Sequence, residues 1–269
     1  MERQVGGRTG MKRSSACVWL WVLWLLWLAL LPCAFAAIVI TGQGGWSRFW
    51  GLSSAAISAA AWVNWALHRR DRLGPMCALI ALGMTFGMLA DLYGAFRALR
   101  FTEPLVMIIP LFALGHVAYV GGMLVLARRL GLTGRPAWPR TLAVVLVLYN
   151  LAGLALWATL VHPSKSLPDM HVPTAVYTAF LSTAAAAMAA VARFERRFLA
   201  VAIGGLLFLL SDAFLAVRLF QNNRHSLGDL CWITYGIGQM LIVYGAIVGG
   251  RETKETNRNN IISSGLRPS

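Results

Sequence analysis

Residues Gly204–Phe220 read GGLLFLLSDAFLAVRLF, an apolar run nearly long enough to cross a bilayer, with Ser211 and Asp212 set inside it. An acid at the centre of a membrane helix costs roughly 2.5–3.5 kcal/mol or more, so one that stays there is read first as functional. A second apolar run, Pro75–Phe96, holds Asp91. Working outward from these two segments, the remaining chain reads as a scaffold that brings both acids into one pocket within the membrane.

Composition agrees. The chain has 269 residues, of which 58% are hydrophobic and 13% charged, and its mean hydropathy is +0.64. Soluble domains carry about 25% charged residues. The net charge of +14 sits in short clusters between apolar runs, as topology determinants do, rather than in a basic groove with interleaved aromatics. No nucleic-acid partner is expected; membrane lipids are. Cys17, Cys33, Cys77 and Cys231 lie in or beside apolar runs with no CxxC spacing and read as free thiols, and no metal or organic cofactor is implied.

The runs predict an all-α, polytopic bundle of eight transmembrane helices: Cys17–Ile40, Gly51–Leu67, Pro75–Phe96, Leu105–Ala127, Thr141–Val161, Thr174–Ala192, Phe198–Phe220 and Leu230–Gly249. Cys17–Ile40 follows a basic start and contains Ala34-Phe35-Ala36, which gives it a signal-peptide look. It is longer than the usual apolar core of a signal peptide, so it is read as a retained span. Of 24 Lys and Arg residues, 18 fall on the side of the two termini, five on the other side, and Arg218 lies inside a run. That asymmetry predicts both termini in the cytoplasm. Residues 1–16 read as a disordered basic tail, 17–249 as the eight-helix transmembrane domain and 250–269 as a disordered polar tail. Gly83 precedes Asp91 by eight residues and Gly204 precedes Asp212 by eight, which suggests a parallel four-plus-four repeat.

At about 1.5 Å per helical residue, Asp91, Asp212, His116 and Gln239 fall in one layer in the outer half of the bilayer. Tyr235 and Gln239 share a face of the last span, and His116 and Tyr119 share a face of the fourth. Asp91 and Asp212 are the candidate catalytic pair. His116, Tyr119, Tyr177, Ser211, Tyr235 and Gln239 are candidates for binding or positioning. The bland alternative is that the acids only hydrogen-bond neighbouring helices. HExxH, P-loop, GxSxG and His/Cys metal clusters are all absent, and Met88-Leu89-Ala90-Asp91 does not fit the GxGD segment of aspartyl intramembrane proteases.

Over roughly Trp46–Gly249 the chain resembles the YhhN family, which includes lysoplasmalogenases. Gly205-Leu-Leu-Phe-Leu-Leu-Ser211-Asp212-Ala-Phe-Leu-Ala216 is similar to the family's Ser-Asp segment, Tyr235-Gly-Ile-Gly-Gln239-Met-Leu-Ile242 to its Y-x-x-A-Q-x-L-I, and Gly115-His116-Val-Ala-Tyr119 to its H-x-x-Y. Thr85-Phe86-Gly-Met-Leu-Ala90-Asp91 matches F-S-x-x-G-D in part, with Gly87 for Ser and Ala90 for Gly; Gly238 stands where Ala is usual. The resemblance implies hydrolysis of the vinyl ether bond of a lysoplasmalogen, giving a fatty aldehyde and a glycerophospho-ethanolamine or -choline. Such a reaction needs one protonated carboxyl as general acid and one anionic group facing the oxocarbenium ion, the logic of paired carboxylates in glycoside hydrolysis. Asp91 and Asp212 would take those roles, with Asp212 favoured as the acid, and His116, Tyr235 and Gln239 would position water or the ether oxygen. The partner is then a lysophospholipid, its phosphate near Arg97, Arg100 or Arg218, in a bacterial plasma membrane or the endoplasmic reticulum. The competing reading is a proton-coupled lipid or small-molecule carrier that uses the same two aspartates.

Overall fold

The computed structural model describes residues 18–30, 33, 47–96, 102–221 and 228–263. Among them the chain is helical, with no strand: α1 (Val18–Leu30), α2 (Ser47–His68), α3 (Gly74–Ala95), α4 (Pro104–Arg129), α5 (Ala137–Leu160), α6 (His171–Phe194), α7 (Leu199–Phe220) and α8 (Gly228–Ser263). Residues 1–16, most of the first expected span beyond Leu30, Arg97 and Arg100, and residues 264–269 lie outside the described residues. α8 continues as helix to Ser263, into the stretch 250–269 that composition reads as a disordered tail.

Six of the described helices, α3 to α8, are long and apolar enough to cross a membrane. α2 has the length, at 22 residues, but not the hydropathy, because it turns Ser53, Ser54, Ser58, Asn64 and His68 into the protein. α1 is described over a segment shorter than a full crossing. On α5, by contrast, Val144, Val147, Leu148, Leu151 and Leu154 are all more than half exposed, an outward surface suited to lipid rather than water.

The helix ends use residues suited to them. Pro75 and Pro104 sit in the first turns of α3 and α4, where a missing N–H costs nothing. Gly131, at φ 70°, turns the chain between α4 and α5 in a conformation open to glycine. Packing runs α2–α3–α4–α6–α7–α8 and returns from α8 to α2, so six helices close a ring; α5 lies outside it against α6 and α7. The Tyr244 hydroxyl of α8 donates to the Leu20 carbonyl of α1 at 2.7 Å, which ties α1 to the ring.

Two helix crossings inside the ring are built alike. A Cβ on Gly83 of α3 would lie 2.9 Å from the Gly115 carbonyl oxygen of α4, and a Cβ on Gly204 of α7 would lie 2.7 Å from that of Gly238 on α8. Only glycine allows backbones this close. In each pair the first glycine lies eight residues, about 12 Å, before an acid. The second is followed at once by a buried polar side chain, His116 or Gln239, and preceded by three residues by an aromatic ring, Phe112 or Tyr235.

Candidate active site

The two acids sit in two hydrogen-bonded clusters. Asp91, on α3, is buried and accepts on one oxygen, Oδ2, from the Ser54 hydroxyl of α2 and from the Tyr235 hydroxyl of α8 at 2.7 Å. Gln239, one turn along α8, donates through Nε2 to the Tyr235 oxygen at 2.6 Å, and its Oε1 lies 3.4 Å from Ser54 Oγ. The donations therefore run in one direction, from Gln239 to Tyr235 to Asp91. Every polar group here has a partner, as burial in hydrocarbon requires.

Asp212, on α7, accepts on Oδ2 from the Tyr177 hydroxyl of α6. Its Oδ1 lies 3.2 Å from Ser211 Oγ, but that hydroxyl also donates to the Phe208 carbonyl at 2.7 Å. Oδ1 is therefore the less committed oxygen. Tyr177 has a single proton, and giving it to Asp212 leaves its oxygen as an acceptor; the His116 Nε2 at 3.3 Å must then be the donor. That assignment leaves His116 Nδ1 as a bare acceptor, buried and without a partner among the described residues.

Aromatic rings link the clusters. Phe208, one turn before Asp212, packs edge-on against Tyr235 at 4.9 Å and His116 at 5.1 Å between ring centroids, and Phe112 of α4 meets Phe208 at 6.2 Å and Tyr235 at 6.0 Å. Such edge-to-face contacts are worth about 0.5–1.5 kcal/mol each beyond their buried area and hold the rings in fixed orientations.

Beside this layer α4, α5, α6 and α7 line an open apolar groove with a cavity of about 100 Å³. Asp212 and Tyr177 are on its wall together with Phe112, Leu209 and Ala216; Asp91 is not. The groove runs toward the end of the bundle where α5 and α7 finish and α6 begins. Its lining, largely hydrocarbon with one carboxyl, suits a lipid chain that carries a reactive bond.

The residues singled out from sequence are distributed accordingly. Asp91, Tyr235 and Gln239 share one cluster; Asp212, Ser211, Tyr177 and His116 share the other. Tyr119 joins neither: its hydroxyl donates to Met84 Sδ at 2.8 Å, and its ring fills the space above Gly83. Arg218 does not line the groove. Sequence reading missed Ser54, which sits in an Ala- and Ser-rich helix; the signal was a polar residue at helical spacing from Ser58 in a segment otherwise free to be apolar.

Comparison with known proteins gives the family. The YhhN family model matches residues 46–246. Proteins named lysoplasmalogenase in Mycobacterium bovis and Mycobacterium tuberculosis are each 29% identical to this chain over 138 residues, 51% of it and 49% of theirs. The chain thus spans about half the length of the curated relatives it matches. No solved structure matches. With the family model covering the ring of helices that carries both acids, this multi-pass membrane protein belongs to the YhhN family.

Proposed function

We propose that this protein is a lysoplasmalogenase-type hydrolase, with Asp212 as general acid. The observation that carries the reading is the place of Asp212: on the wall of an open apolar groove, with Tyr177 holding one carboxyl oxygen and the other facing Ser211. The names of the mycobacterial relatives support the same reaction class.

In this reading the vinyl ether lies in the groove beside Asp212. The Oδ1 proton transfers to the β-carbon, the C=C bond becomes a single bond, and the positive charge is shared between the α-carbon and the ether oxygen. Water adds at the α-carbon and returns a proton to the carboxylate. The hemiacetal then breaks its bond to the glycerol oxygen, releasing the aldehyde and a glycerophospho-alcohol. Atoms balance with one water consumed. Asp91, acceptor of two hydroxyl donors, serves as the anionic partner that favours positive charge in the layer, acting across the aromatic rings rather than by contact. His116 and Tyr177 form a positioning chain behind Asp212.

The same reading takes α1 and α2 as crossings beside the six long apolar helices, with both termini cytoplasmic. The matching glycine crossings support a parallel four-plus-four repeat, since each acid lies at the same distance from its crossing. The test is direct. Purified protein in detergent, given a lysoplasmenyl lipid, releases aldehyde, and Asp212→Asn does not. Lipid binding with no aldehyde from the wild type rejects the hydrolase and favours the carrier.

A further inference from the structure

The apolar groove does not end in hydrocarbon. At the end of the bundle where α5 passes into α6, it meets a second, polar pocket of about 350 Å³, and Leu160 and Phe220 line both. The polar pocket is walled by Ser164, Lys165, Ser166 and Gln221. We propose that this pocket is a phosphate subsite, in which Lys165, with Ser166 and Gln221, holds the anionic headgroup of a single-chain phospholipid whose tail lies in the groove.

The loop is built to hold its shape. The Ser164 hydroxyl donates to the Phe220 carbonyl at the end of α7, and the Ser166 N–H donates to Ser164 Oγ at 3.0 Å. The Trp157 Nε1–H of α5 donates to the His171 carbonyl at 3.0 Å, closing the loop at its base. With Ser164 occupied in this way, the Ser166 hydroxyl and the Lys165 ammonium point to no described protein partner, and Lys165 makes no ion pair among the described residues, although Asp169 lies four residues on. An ammonium with three donors and a neighbouring hydroxyl suits phosphate oxygens. The positive-inside rule does not account for this cation, because the charge asymmetry read from the sequence puts Lys165 on the side opposite the termini.

The spacing fits the chemistry. From Asp212 to Phe220, at the shared wall, is eight residues of helix, about 12 Å. In a lysoplasmalogen, seven bonds of roughly 1.5 Å separate phosphorus from the vinyl β-carbon, an extended reach of about 9 Å. The four-carbon stem of Lys165 covers the difference. A headgroup held at this loop therefore lays the vinyl ether at the depth of Asp212.

This inference rests on the hydrolase reading for the bond that is cleaved, but not for headgroup binding, and the experiment separates the two. The probe is a saturated alkyl-ether lysophosphocholine, which binds without being cleaved; the matched probe is the same alkyl glycerol without phosphate. Full-length protein in detergent is titrated with each, and binding is read by intrinsic tryptophan fluorescence. Lys165→Ala is expected to weaken the phospholipid about fivefold, the effect of one exposed charged contact, and to leave the alkyl glycerol unchanged. Lys165→Glu should weaken it further, and Lys165→Arg should restore it. Equal weakening of both probes, or no weakening of either with melting temperature retained, overturns the subsite. Stabilisation by inorganic phosphate alone, lost in Lys165→Glu, assigns the pocket to free phosphate and overturns the lipid reading. No aldehyde release from the wild type, with these binding patterns intact, would instead count against the hydrolase.

Discussion

Replacing Asp212 with Asn separates its chemistry from its place in the fold. The amide keeps the shape of the carboxyl. Its oxygen can accept from Tyr177, and its NH₂ can donate to Ser211 Oγ, which retains a lone pair after donating to the Phe208 carbonyl. The substitution leaves no further buried group without a partner, so the melting temperature should fall by no more than a few degrees, corresponding to under about 1 kcal/mol. The amide has no transferable acidic proton. General acid catalysis contributes about 10²–10⁴-fold, or about 2.7–5.5 kcal/mol of barrier, and kcat should fall by that factor. KM should change little, because the groove and the loop at its mouth are untouched. The assay couples released aldehyde to NADH oxidation by an alcohol dehydrogenase, beside a thermal melt of the same preparation. A variant that melts with the wild type and keeps kcat within tenfold would refute the assignment of Asp212 as the acid.

Further outcomes follow from the same geometry. Tyr235→Phe removes the 2.7 Å donation to Asp91 and leaves Gln239 Nε2 buried without an acceptor; it should cost about 1–3 kcal/mol, seen as a lower melting temperature. Gly204→Ala places a Cβ 2.7 Å from the Gly238 carbonyl oxygen, backbone that cannot rotate away, and should destabilise by about 1–3 kcal/mol. Gly121→Ala, whose Cβ would meet Leu79 Cδ1 at an ordinary 3.6 Å, should melt with the wild type; equal loss in both would refute the close-crossing argument. Ala216→Trp fills the groove one helical turn from Asp212, so lipid binding should fall at least tenfold while the protein still folds, as checked by fluorescence titration and size-exclusion chromatography. Together with the Lys165 series, these variants examine the acid, its support, the crossing, the groove and its mouth in turn.

Much of this protein was legible along the chain because hydrocarbon-length apolar runs are a one-dimensional signal. Length and hydropathy locate α3 to α7 and the start of α8 within a few residues, and the cost of an acid in lipid marks Asp91 and Asp212 before any contact is known. Rotation about the helix axis is another matter. In a membrane the outward face is as apolar as the inward one, so no amphipathic stripe shows which way a side chain points. That is why Tyr119, on the same helix face as His116 by spacing, turns out to occupy Met84 and Gly83 instead of a carboxylate. It is also why Ser54, 185 residues from Gln239, could be joined to the Asp91 cluster only by the closure of α2 onto α8. Sequence alone determined which stretches are long and apolar enough to cross a membrane and which of them carry an acid. The tertiary structure decided which acid meets the groove: α5 packs outside the ring against α6 and α7, and the groove it helps to line has Asp212 and not Asp91 on its wall, because where one helix docks on the others is not written in the apolar run of any one of them.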